Sequence, residues 1–143
     1  MDKVDKQILR SLAANSRTSL KVLAGKVGLA APSTSDRLKR LEQRGQIKGY
    51  TIEVDLQRLG YGVVAMVRIS PQPGKLRMVE RLIMANSAII ECDKVTGEDC
   101  FFVRVCLKSL QDIDAVLEQF HEHAQTVTCI VKSQPITRRL PPL

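Results

Sequence analysis

Aromatic residues make up only 3% of this 143-residue chain, tryptophan is absent, and there are just two histidines, His121 and His123. Each shortage removes a class of function. RNA recognition by a stacking sheet needs aromatic side chains on central strands, and the adjacent pair Phe101 and Phe102 is poor provision. The histidines stand two residues apart, which puts them on different sides of a helix, and both read as exposed at a helix end. No H-E-x-x-H, G-x-S-x-G or G-x-x-x-x-G-K motif occurs, so metal-hydrolase, nucleophile-elbow and phosphate-cradle chemistries have no carrier. The four cysteines, Cys92, Cys100, Cys106 and Cys129, lack C-x-x-C spacing and fall in strand-like stretches, which predicts buried free thiols rather than a metal site or disulfide framework. No apolar run approaches the ~20 residues that span a bilayer, and the opening MDKVDKQ is charged from its second residue. The expectation is a cytoplasmic protein with no membrane partner, no metal and no cofactor.

What the chain does have is an apolar fraction of 44%, enough to bury a core, and an uneven charge. Residues 1–60 carry a net charge of +6 and residues 61–143 only +1. The segment holding the excess, Ser19 to Gly45, reads as two short helices hinged at Gly28. At about 100° per residue, the second helix gathers Ala31, Thr34, Leu38, Leu41 and Gly45 on one face. Ser33, Asp36, Arg37, Arg40, Gln43 and Arg44 fall opposite. Pro32 suits a first helical turn and Gly45 a stop. Ser19 caps the helix before it, whose inner face is Leu20, Leu23, Ala24 and Val27, and Asp2 caps a first helix carrying Val4, Ile8 and Leu12. The alternating run Ile47 to Val54 predicts a wing or linking strand. The first 60 residues therefore read as a winged helix-turn-helix, and a duplex polyanion rewards such clustered positive charge through counterion release.

From residue 61 the pattern turns to alternation and then repeats. Strand-like stretches at 61–70, 88–95, 99–108 and 126–133 enclose two amphipathic helices, with Leu76, Val79 and Ile83 inward in one and Ile113, Val116 and Phe120 inward in the other. Val67-Arg68-Ile69 returns as Val103-Arg104-Val105 at an offset of 36, and the inward helix positions return at 37. This is βαβ twice, a ferredoxin-like βαββαβ domain over residues 61–143, and the whole chain is α+β. Both helices cover one face of the sheet. The other, on which Val67 or Cys106 is expected among polar residues, calls for a second subunit.

With these features in hand, the chain resembles the leucine-responsive regulatory protein/AsnC (feast/famine) family of transcription regulators. The residues that carry the likeness are Asp5-x-x-Ile8-Leu9, Leu23-Ala24 to Val27-Gly28-Leu29, Arg40-Leu41-Glu42, Gly45-x-Ile47-x-Gly49-Tyr50, Leu59-Gly60 and Val95-Thr96-Gly97. The resemblance implies a homodimer built through the sheet, assembling further to a tetramer or octamer. It implies that this assembly binds double-stranded DNA and is modulated by an amino-acid effector held where sensing domains meet.

Carried over to this chain, groove contacts fall to Ser33, Thr34, Ser35 and Arg37, and phosphate contacts to Arg17, Lys21, Lys39, Arg40 and Lys48. The wheel turns Thr34 inward, which also suits a packing role. Asp36 either pairs with Arg40 one turn on, the preferred reading, or accepts from a cytosine. The family often has serine where this chain has Ala30, so Ser33 is an alternative cap that would start the helix a turn later. The effector site maps to Gly97, Glu98, Asp99 and Cys100 and to Thr126, Thr128 and Ile130; Cys100 stands where the family often has an acidic residue. A different function on the same build, a haem-pathway decarboxylase, is disfavoured by the line of arginines on the second helix.

Overall fold

The computed structural model describes residues 1–97 and 100–143. Its elements run α1 (Lys3–Ala14), α2 (Leu20–Val27), α3 (Ala31–Gln43), β1 (Val63–Pro71), α4 (Leu76–Ala85), β2 (Ile89–Lys94), β3 (Phe101–Leu107), α5 (Asp112–Glu118) and β4 (Ala124–Ile130). They fall into two compact units, Met1–Glu53 with Pro135–Leu143, and Val54–Gln134.

The helical unit is punctuated by its caps. Asp2 and Asp5 form a reciprocal capping box at the start of α1, each carboxylate accepting from the other residue's backbone N–H. The Ser19 hydroxyl accepts from the Val22 N–H to open α2, and Gly28, at φ +70°, closes it in the left-handed conformation that glycine adopts without strain. The three helices meet on Ile8, Leu23, Val27 and Leu41, with Val4, Leu12, Leu38 and Ile47 packed around them. Gln7 fastens α1 to the end of α2, its Nε2 donating to the Lys26 carbonyl at 2.6 Å.

The structure decides between two starts for the third helix and corrects one expectation. The third helix begins at Ala31, not a turn later with Ser33 as its cap: Ala30 is its cap residue, extended and without a side-chain hydrogen bond, while the Ala30 carbonyl accepts from Thr34 N–H. Pro32 sits in the first turn, where its missing N–H has no intrahelical partner to lose. The predicted strand over Ile47–Val54 does not form. Tyr50, Ile52 and Val54 are exposed, and a lone extended segment without a neighbouring strand has no ladder to join.

In the second unit the strands pair antiparallel in the order β2-β3-β1-β4. Ala65, Val67, Ile69, Phe101, Val103 and Val105 point to one face, where Val79 and Ile83 of α4 and Val116 of α5, with Phe120 beyond it, complete the core. Val67 is thus a core residue, not one of the uncovered face. The register pairs Val67 with Val103 and Thr128, so all three share its side. The uncovered face carries Val64, Met66 and Arg68 of β1, Phe102, Arg104 and Cys106 of β3, and Val127 and Cys129 of β4. Arg104 there donates to Glu91 on β2 at 3.2 Å. The thiols also depart from expectation. Cys106 is buried, but Cys100, just before β3, is half-buried, and Cys92 and Cys129 are exposed: they stand on the edge strands β2 and β4, and Cys129 also lies on the uncovered face. His121 is exposed as expected, whereas His123 is half-buried beside the start of β4.

Candidate nucleic-acid interface

Helix α3 presents two unlike sides. Thr34 and Leu41 are buried, and the Thr34 hydroxyl donates back to the Ala30 carbonyl at 3.0 Å, so this side chain packs inside and offers nothing to a groove. Ser33, Asp36, Lys39, Arg40, Gln43 and Arg44 are exposed, and Ser35 is half-buried on the flank. The Arg40 Nε donates to the backbone carbonyl of Asp36 at 3.3 Å, so the expected Asp36–Arg40 link runs through the main chain and leaves the Asp36 carboxylate facing solvent. Arg17, Lys21 and Lys48 are exposed on the same unit.

Arg37 behaves differently from its neighbours. Its Nη1 donates to Asp2 at 2.5 Å and to Asp5 at 2.8 Å, which ties the middle of α3 to the capping box of α1. The Asp5 N–H and then the Arg37 guanidinium hold the Asp2 carboxyl below its ordinary range, and the two carboxylates raise the Arg37 pKa. A cleft of about 270 Å³ lies beside this bridge, with Met1, Asp2 and Asp5 on α1's side and Arg40, Arg44 and Gln46 on the other. Beyond α3, Tyr50 donates to Glu42 at 2.8 Å, and desolvation, helped by that carboxylate, pushes the phenol up to about 12. Arg44 and the Asp2–Asp5 pair were not among the sequence-derived site residues. The D-x-x-D spacing at a helix start was the available signal for the pair.

Of the sensing-site candidates, Gly97 is exposed with φ +115°, and the Cys100 Sγ approaches its carbonyl at 4.0 Å. Glu98 and Asp99 lie outside the described residues. Thr126 pairs with Ile69, which on its other side pairs with Phe101, so Thr126 lies at the same end of the sheet as Cys100, the residue before Phe101. Thr128 and Ile130 run away from that end along β4, Ile130 by ~13 Å at the usual strand rise. The three side chains lie on the helix-covered side of the sheet, with Thr126 and Thr128 half-buried and Ile130 exposed.

Residues 1–48 match the family model for winged helix-turn-helix DNA-binding domains, and residues 64–141 match that of the Lrp/AsnC ligand binding domain. The HTH-type transcriptional regulator LrpC of Bacillus subtilis is 30% identical over 138 residues, 96% of each chain. Its solved structure superposes with a TM-score of 0.90 over 96% of this chain and 99% of that one. The Bkd operon transcriptional regulator of Pseudomonas aeruginosa is 35% identical over 134 residues, covering 91% of this chain and 83% of that protein. A Neisseria meningitidis regulator solved as a complex with L-Met shares the fold, at a TM-score of 0.91 and 22% identity over 99% of this chain and 96% of that one. These are regulators and not enzymes, and the decarboxylase reading has no support. With a helix-turn-helix unit followed by a ligand-binding βαββαβ unit, this chain belongs to the Lrp/AsnC family of DNA-binding transcription regulators.

Proposed function

We propose that α3 is the recognition helix and that Ser33, Lys39, Arg40 and Arg44 meet the duplex, Ser33 and Arg40 reaching base edges and Lys39 and Arg44 the phosphates. The observation that carries this is the division of α3 itself: a buried Thr34–Leu41 side holds it on the unit, and a cationic ridge faces out. Ser33 stands near the start of α3, where such a helix reaches deepest into the major groove, and Arg40, two turns on along the same face, offers the two-donor fork that matches guanine. Arg17, Lys21 and Lys48 add sequence-independent grip. Working in the cytoplasm, two such units in a homodimer read half-sites about one helical turn apart or a multiple of it.

We infer further that the second unit senses a free amino acid, with the Gly97–Cys100 loop and Thr126 supplying its contacts. The Gly97 amide and Thr126 hydroxyl suit a carboxylate, and a carboxylate from Glu98 or Asp99 suits an ammonium group. The effector regulates only if it binds one assembly state, dimer or higher, more tightly than another. Gel-shift titrations at several salt concentrations test the interface. Arg40→Ala should weaken binding and relax sequence preference, whereas Lys21→Ala should weaken all sequences alike and lower the salt slope by about one. Equal loss of preference in both variants would refute the assignment. A thermal-shift screen of the common amino acids tests the sensing site, and no shift with any of them would exclude that effector class.

A further inference from the structure

The arginine that sequence pattern places among the base readers is already engaged within its own chain. On the wheel Arg37 stands only ~40° from buried Leu41, at the flank of the exposed ridge and toward α1, whereas Arg40 and Ser33 sit near its middle. Its guanidinium serves two carboxylates that are 35 and 32 residues away in sequence. Each of those carboxylates also accepts the other residue's backbone N–H at the start of α1. The Arg37 and Asp5 side chains are only 27% and 16% exposed, so the Asp5 arm of the bridge is shielded more than an ordinary surface pair, while Asp2 is 51% exposed. Both bonds come from Nη1, so for Arg37 to swing its whole guanidinium fork out to a base it would have to give them up and leave two carboxylates without their cationic partner beside the phosphates. Meanwhile α3 has no side-chain cap of its own to fix its start.

We propose that Arg37 is a positioning residue: it locks α3 to the start of α1 through Asp2 and Asp5 and sets the approach of Arg40 and the other ridge residues, without itself contacting the duplex. The proposal rests on the assignment of α3 as the recognition helix. It makes the two acidic residues, which by charge alone oppose DNA binding, necessary for it.

That sign gives the test. The full chain is used to select a duplex from a random pool, and affinities for that duplex and a scrambled one are measured over a range of salt, alongside the thermal midpoint of each variant. Asp5→Asn and Arg37→Ala should each loosen binding to the selected duplex by about tenfold, and the double variant should be no worse than either, since both break one link. The salt slope of Arg37→Ala should equal that of the parent, because no phosphate contact is lost. If Asp5→Asn unfolds the helical unit, Asp2→Asn carries the same expectation at a more exposed partner. If instead the Asp variants bind DNA more tightly, or Arg37→Ala lowers the slope by about one and adds to the Asp5→Asn loss, Arg37 is a contact residue held in check, and the positioning role is wrong. A parent chain that selects no duplex defeats the recognition-helix assignment itself, while a parent that binds and variants that strengthen defeat only the role given to Arg37.

Discussion

Ala30 occupies the cap position of α3 in the extended conformation, φ −66° and ψ 151°, that a capping serine adopts, yet it has no oxygen to offer the first-turn amides. Ala30→Ser should therefore stabilise the helical unit by about 1 kcal/mol, seen as a rise of about 4–8 °C in its thermal midpoint. An unchanged midpoint would mean that those amides already find partners. Asp2 gives a second residue-scale prediction. Its carboxyl is held low in the folded chain by the Asp5 N–H and then Arg37, so its contribution is present above the unfolded pKa and fades as pH falls through the lower folded value. Asp2→Asn should be less stable than the parent near neutrality, and the gap should close below the ordinary carboxylate range. A gap that persists there would assign the effect to something other than this charge.

The helices are the elements most legible in the sequence, because their signals are local. Asp2, Ser19, Gly28, Pro32 and Gly45 each act within a turn of where they stand, and the structure places the boundaries accordingly. What depended on distant neighbours was less legible. Ile47–Val54 has a strand's alternation but no strand beside it. The partner of Arg37 lies on another helix, and Val67 alternates as expected while its side of the sheet is fixed only by where α4 and α5 pack. At the sensing site, the sheet register brings Thr126 to the loop end and carries Ile130 away from it, which a list of residues along one strand does not reveal. The helical core is also small. Ile8 is fully buried where the three helices meet, so Ile8→Ala should cost about 2–5 kcal/mol. Hydrogen exchange should then quicken in α1–α3 and leave β1 and β3 protected. Uniform quickening in both units would show that they unfold as one.

At the scale of the whole molecule, the two units divide the labour by charge and by surface. Of the net +7, +6 belongs to residues 1–60, which hold the helix-turn-helix, and the nearly neutral remainder folds into a sheet with one covered face. On the other face Met66 and Phe102 are half-buried and Val127 is 45% exposed, among Arg68 and Arg104. Val127→Asp places a charge on that surface, and if subunits pair through it, the native mass should fall toward that of the monomer and affinity for paired half-sites should drop with it. An unchanged mass would put the subunit contact elsewhere.

Selection of duplexes from a random pool by the full-length chain tests the central claim most directly. The account predicts enrichment of a pseudo-palindrome whose halves lie about one helical turn apart or a multiple of it, and loss of that enrichment in Arg40→Ala. A pool that stays random at low ionic strength, or the same motif recovered with Arg40→Ala, would contradict it.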